Sequence, residues 1–241
     1  MHLPLKEYQE RTLETLSEYY QKCLHFNNAN TAFYDLTKRA YSPIESLSGM
    51  PYVCLRLPTG GGKTLVACHA VSVTASELLK TDTPLVLWLT PSNAIRDQTL
   101  NALKNPLHPY RDAFESARRK VEVFTIGGAL SLPLHILNTK TTIIVSTMQA
   151  FRVEDTDGRK VYEQSGALMG HFTHLSDEAL SAIDKDESGK PIYSLANLLC
   201  VKRPLVIVDE AHNARTELSF DTLTRFNPSA IIEFTATPDT I

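Results

Sequence analysis

The chain has 241 residues, 43% of them hydrophobic and 21% charged, and a formal net charge of -3. That length accommodates one large α/β domain or two small ones, each able to bury a core. The near-even charge excludes a protein that holds nucleic acid by a global positive field, so any polyanion contact must come from a local patch.

Cys23, Cys54, Cys68 and Cys200 are scattered, with no C-x-x-C spacing and no paired histidine. This argues against zinc and against a disulfide framework, and it fits a reducing cytoplasm. The N-terminus lacks the charged start and apolar core of a signal peptide. No apolar run approaches the ~20 residues needed to span a bilayer.

In chain order, the spacing of Leu13, Leu16, Tyr20 and Leu24 predicts an amphipathic helix over 5–24, with Glu10, Glu14, Glu18 and Lys22 elsewhere on its surface. At its start stands Tyr8-Gln9, a pair able to stack on and hydrogen-bond an adenine edge; the plainer reading of Gln9 is a solvated side chain. Residues 27–50 read as a loop around a short helix.

The stretch from Val53 to Thr64 is the most informative in the chain. An apolar strand stops at Pro58, passes through Thr59, Gly60, Gly61 and Gly62, and opens a helix at Lys63-Thr64. Strand, glycine loop and Gly-Lys-Thr at a helix start form the context of a phosphate-binding loop. Glycines let successive N–H groups converge on one anion, and the helix dipole aims at the same point. Lys63 would then reach the β- and γ-phosphates of ATP, and the Thr64 hydroxyl would ligate Mg²⁺. One position departs from the strict Gly-x-x-x-x-Gly-Lys-Thr pattern: Leu57 stands where glycine is expected.

The following helix, Lys63 to about Leu79, is apolar on nearly every face and so should be buried. Leu85–Leu89 is a continuous apolar run, expected to be a strand covered on both faces. Ser92 is placed to cap a helix from Asn93 to Lys104. Further strands are expected at 121–126, closed by Gly127-Gly128, and at 142–146, 205–208 and 230–234. The alternation predicts an α/β fold, mainly parallel, with helices on both faces. Arg111, Arg118, Arg119 and Lys120 form a local basic cluster, either a polyanion contact or a solvated helix face. Between Gln149 and Leu205 the rhythm breaks. A structureless loop that long is improbable in a compact domain, so 150–204 reads as an insertion with helices near 166–174 and 195–199.

The fifth strand ends in Asp209-Glu210-Ala211-His212. Four apolar residues followed by two carboxylates put Asp209 at the C-terminal edge of the sheet, where open α/β folds place their ligands. There Asp209 would serve the metal shell and Glu210 would polarise the water that attacks the γ-phosphate.

Together, Pro58–Thr64, Asp209–His212 and Thr235-Ala236-Thr237 resemble motifs I, II and III of superfamily 2 helicases and translocases of the D-E-A-H-containing kind. Thr90–Gln98 resembles motif Ia, Gly127-Gly128 the paired-glycine motif, Ser146–Gln149 the Ib region and Leu5–Gln9 the Q-type motif. Within the superfamily the chain is most similar to the motor subunit of type III restriction enzymes.

The resemblance implies a RecA-like P-loop NTPase fold over 51–241, preceded by an N-terminal helical segment over 1–50. It also implies an ATP- and Mg²⁺-dependent motor acting on nucleic acid. Catalysis would fall to Lys63, Asp209, Glu210 and His212, and adenine reading to Gln9. Thr235 and Thr237, with His212, would couple nucleotide state to motion between domains. Pro91, Ser92, Arg96, Gly127, Gly128 and Thr147 would line the path of one strand, mainly through phosphates. A methyltransferase subunit is a partner the resemblance implies.

Such motors hold ATP between two RecA-like domains, and the second supplies an arginine finger. No Gln-x-x-Gly-Arg stretch and no Pro-Asp…Glu-x-Lys nuclease triad occurs here, so 1–241 reads as part of a longer protein with weak nucleotide binding and little hydrolysis on its own. Two other readings stay open: a nucleotide-dependent switch that does not translocate, and an RNA helicase.

Overall fold

The computed structural model describes residues 3–42, 47, 49–115, 117–151, 160–209 and 222–236. Six strands form one sheet: β1 (Tyr52–Arg56), β2 (Leu85–Thr90), β3 (Val121–Phe124), β4 (Thr141–Thr147), β5 (Leu205–Asp209) and β6 (Ala230–Thr235). Their order is β1-β6-β5-β2-β4-β3, and every pairing is parallel. Parallel neighbours need crossovers, and helices make most of them.

The long apolar runs are explained by what covers them. Along a strand successive side chains point to opposite faces. Val86 and Trp88 of β2, Ile143 and Val145 of β4, and Leu205 and Ile207 of β5 enter one core. Their alternates Leu85, Leu87, Leu89, Ile144, Val206 and Val208 enter a second core on the other face. The first core is closed by α1 (Glu7–Phe26), α2 (Ala29–Thr37), α3 (Lys63–Thr74), α4 (Asn93–Lys104) and α5 (Pro109–Glu115). The second is closed by α6 (Ile126–Ala129), α7 (Leu134–Thr139) and much of the 150–204 segment. From that segment Phe151, Val161, Leu168, Phe172, Ile183 and Leu195–Leu199 all pack beneath the sheet. Its helical turns fall at Gly166–Phe172 and Leu195–Lys202, so it supplies a layer of the fold.

Three local expectations need correction. Leu24 is 49% exposed, and the buried stripe of α1 runs instead through Gln9, Leu13, Leu16, Tyr20 and Cys23. A 3.6-residue period carries Leu24 off the centre of that stripe. Second, α3 gives way at Ala75–Leu79 to a π-helical turn. Third, the basic cluster divides: Arg118 and Lys120 are exposed, whereas Arg111 and Arg119 turn inward. Arg119 is buried, donating to the Thr81 carbonyl (2.9 Å) and the Ser76 hydroxyl (3.0 Å). Arg111 donates to the carbonyls of Leu103 (3.2 Å) and Val121. These guanidiniums tie loops to the sheet, a use that composition cannot distinguish from a surface patch. Among the described residues no helix is long and apolar enough to cross a membrane.

Candidate nucleotide site

Because all six strands run the same way, their C-terminal ends share one rim. That rim carries the loop after β1, Thr90 before α4, Thr147 at the end of β4, Asp209 at the end of β5 and Thr235 at the end of β6. The departure at Leu57 has a structural reason. Leu57 is buried in the first core, and its N–H donates to the Thr235 carbonyl at 3.0 Å. The chain is still bound into the sheet there, so a glycine has no special backbone conformation to supply.

The turn itself begins at Pro58, whose carbonyl accepts from Gly61 N–H at 2.8 Å. Gly60 and Gly62 take left-handed backbone conformations, φ 71° and 75°, which glycine adopts without penalty. Gly62 is the N-cap of α3 and offers no side chain to the first turn, so the cap is made by backbone alone. Gly61 is packed so closely that a Cβ there would stand 2.7 Å from the Pro58 carbonyl oxygen. Thr59 is exposed at the crest of the turn.

In front of α3 opens a cavity of about 740 Å³. Gly60, Gly62, Lys63 and Thr64 line one wall and Asp209 another; Ile95, Gln98, Asn101 and Asn105 of the α4 side, with His108 and Tyr110, complete it. The structure thus brings Lys63, Thr64 and Asp209 to a single concavity. Its chemistry suits a phosphorylated ligand: an ammonium and helix-start N–H groups for anions, a hydroxyl and a carboxylate for a hard cation. Glu210, His212 and Thr237 lie outside the described residues. Among the described residues no cluster of three or more His, Cys, Asp or Glu forms a self-contained metal site.

Gln9 lies behind the loop. It is 4% exposed; its Oε1 accepts from Lys6 N–H at 2.9 Å and its Nε2 donates to the Gly61 carbonyl at 2.8 Å. The Tyr8 hydroxyl donates to the same carbonyl at 2.9 Å. The start of α1 therefore clamps the glycine loop from outside the sheet. One Nε2 hydrogen and one Oε1 lone pair remain for any adenine contact. Removing the clamp leaves the Lys6 N–H without its acceptor and slackens the loop. Gln9→Ala is expected to lower stability by about 1 kcal/mol, read as an earlier urea midpoint, and to weaken nucleotide binding as well. Unchanged midpoint and affinity would remove the clamp from the account.

A second concavity of about 310 Å³ is lined by Arg96, Thr125, Ile126, Gly127, Leu130, Val145, Ser146, Ala150 and Lys160. It unites two of the expected strand-contacting residues, Arg96 and Gly127. Arg96 is engaged with its own helix, its Nη2 donating to Asp97 Oδ1 at 2.8 Å and its Nη1 to Asn93 Oδ1 at 2.9 Å. Ser92 caps α4 through Ile95 N–H, and Gly128 N–H donates to the Thr125 hydroxyl at 3.1 Å. Pro91 is half-buried and Ser92 exposed at the turn into α4, whereas Thr147 is 4% exposed, paired with Thr90 across the ladder. Of the two threonines expected to couple nucleotide state to motion, Thr235 is buried, its carbonyl accepting from Leu57 N–H just ahead of the glycine turn, and is in register with Arg56.

Sequence reasoning missed the far wall of the main cavity. His108 and Tyr110 follow no motif, and the segment between α4 and β3 offered only its basic residues as a signal. The whole chain was also compared with known proteins. A model of the family described as type III restriction enzyme, res subunit, matches residues 2–240. No curated protein matches the chain. With an all-parallel sheet, a glycine loop at a helix start and a matching model over nearly every residue, the chain belongs to the type III restriction enzyme res-subunit family, a RecA-like helicase-type motor domain.

Proposed function

We propose that this chain is the first motor domain of an ATP-dependent DNA translocase or helicase, working in the cytoplasm in a type III restriction or related DNA-processing system. One observation carries the reading: Lys63, Thr64 and Asp209, far apart in sequence, line the same cavity at the rim of the sheet. The triphosphate would lie on the N–H groups of Gly60–Thr64 with Lys63 at its β- and γ-phosphates.

The donor set suits Mg²⁺, which is held by one or two protein oxygens together with phosphates and water. Thr64 would ligate it and Asp209 would order its water shell; the ion would neutralise charge developing on the phosphates. Glu210 would orient the attacking water, and His212, Thr235 and Thr237 would relay the γ-phosphate state. Gln9, already fixed to the loop, has the spare capacity to read adenine. The nucleic-acid path would run over Pro91, Ser92, Arg96, Gly127, Gly128 and Thr147, in a complex that includes a second RecA-like domain and a methyltransferase subunit.

ATP turnover by the full-length protein, measured with and without DNA, tests this. Stimulation by duplex DNA beyond that by RNA is the expected result. Turnover indifferent to DNA would favour a nucleotide-gated switch, and stimulation by RNA alone would favour an RNA helicase.

A further inference from the structure

In an all-parallel sheet the residues just ahead of every strand share one rim, here the rim opposite the nucleotide cavity. Backbone hydrogen bonds carry the ladder past the strand starts: Thr141 N–H donates to the Lys120 carbonyl at 2.8 Å, Thr142 N–H to that of Pro84 at 3.0 Å, and Ser229 N–H to that of Pro204 at 3.0 Å. The segments leading into β3, β4, β2 and β5 therefore stand side by side in that order. Each brings cations to the rim: Arg118 and Lys120 ahead of β3, Lys140 ahead of β4, Lys80 ahead of β2, and Lys202 and Arg203 ahead of β5. All are exposed except the half-buried Lys140.

Three carboxylates share this rim. Glu77 lies 3.9 Å from Lys80, Glu122 lies 2.6 Å from Lys140, and the fully exposed Asp82 lies 3.7 Å from the buried Arg119. Arg118, Lys120, Lys202 and Arg203 form no ion pair among the described residues. A chain of net charge -3 thus gathers a local positive row on one edge. At its β5 end the row opens into a cavity of about 260 Å³, where Lys202 and Arg203 stand with Thr81, Thr83 and Ser229.

We propose that this rim is a second polyanion site, one that docks the phosphate backbone of duplex DNA without reading its sequence. From β3 to β5 the row spans three strand spacings, roughly 14 Å. That is the length of about four successive phosphates along one strand of a duplex. The loops of the row carry no aromatic side chain. Unpaired bases would find nothing to stack on, and a protein partner would find no aromatic anchor, so ammonium and guanidinium contacts to phosphate remain. The site is separate from the path over Arg96 and Gly127, which lies beyond the C-terminal ends of the strands, and it does not depend on the nucleotide reading.

The test is the binding of short fluorescein-labelled DNA duplexes of two unrelated sequences, followed by fluorescence anisotropy between about 50 and 200 mM salt. The chain carrying both Lys120→Gln and Lys202→Gln should bind roughly ten-fold more weakly at the low-salt end, by the same factor for both sequences. The slope of log affinity against log salt should fall by about two, one for each phosphate contact removed. The same factor should persist in an Arg96→Ala background, since the two surfaces are far apart. Asp82→Asn takes a like charge away from the ligand and should tighten binding about two-fold, a gain that misfolding cannot imitate. An unchanged slope in the double variant overturns the proposal and leaves an acidic protein segment as the partner of the row. A loss confined to one of the two sequences, or no gain for Asp82→Asn, overturns it as well.

Discussion

Lys63→Ala is expected to weaken binding of Mg²⁺-ATP by about 10- to 100-fold while leaving the unfolding transition close to that of the wild type. The estimate follows from a charge-assisted contact to phosphate, of the order of 1.5–3 kcal/mol. Lys63 is half-buried at the first position of α3 and lines the cavity, so little core packing depends on it. Lys63→Arg should not restore affinity, because a planar guanidinium fork does not reproduce the point-charge contact of a compact ammonium. Equilibrium titration with a fluorescent ATP analogue measures both variants. Affinity within two-fold of the wild type for Lys63→Ala would mean that the glycine loop binds something other than a triphosphate.

The second large effect is on the core. Trp88, the single tryptophan, is 0% exposed in the middle of β2, paired with Val145 on one side and Ile207 on the other. Trp88→Ala opens a cavity between the strands that carry the rim residues, and should cost about 3–5 kcal/mol. The indole Nε1 has no hydrogen-bond partner among the described residues, so part of its packing gain is offset by an unmet donor. Trp88→Phe keeps most of the ring and drops that donor, so it should cost markedly less than alanine. Chemical denaturation followed by circular dichroism compares the two. Equal losses for Phe and Ala would show that the buried donor is satisfied or that the ring volume is not what holds the sheet.

The frame of the molecule was legible because it is written in repeated, local chemistry. Leu85–Leu89 and Leu205–Val208 are apolar without interruption, and only strands covered on both faces tolerate that, as the alternate assignment of their side chains to two cores demonstrates. Ser92 capped α4 as its position implied, and the glycine turn lay where strand chemistry met helix chemistry. What stayed hidden depends on long-range geometry. Arg119 reads as a surface charge until Thr81 and Ser76 are brought around it. Gln9 reads as a solvated amide until the Gly61 carbonyl arrives from a loop some fifty residues away. Tyr110 has no motif, since its place on the cavity wall follows from how α5 packs on α3. The described part of the 150–204 segment lacked a regular period because it covers the sheet with short helical turns rather than long helices.

The central claim is that Lys63, Thr64 and Asp209 surround one triphosphate and its metal. Crystals of the protein grown with Mg²⁺ and a non-hydrolysable ATP analogue test it most directly. The expected density has the β- and γ-phosphates on the Gly60–Thr64 turn and an ion between Thr64 Oγ1 and the Asp209 carboxylate. Nucleotide bound elsewhere, or bound in this cavity with its phosphates turned away from Lys63, would contradict it.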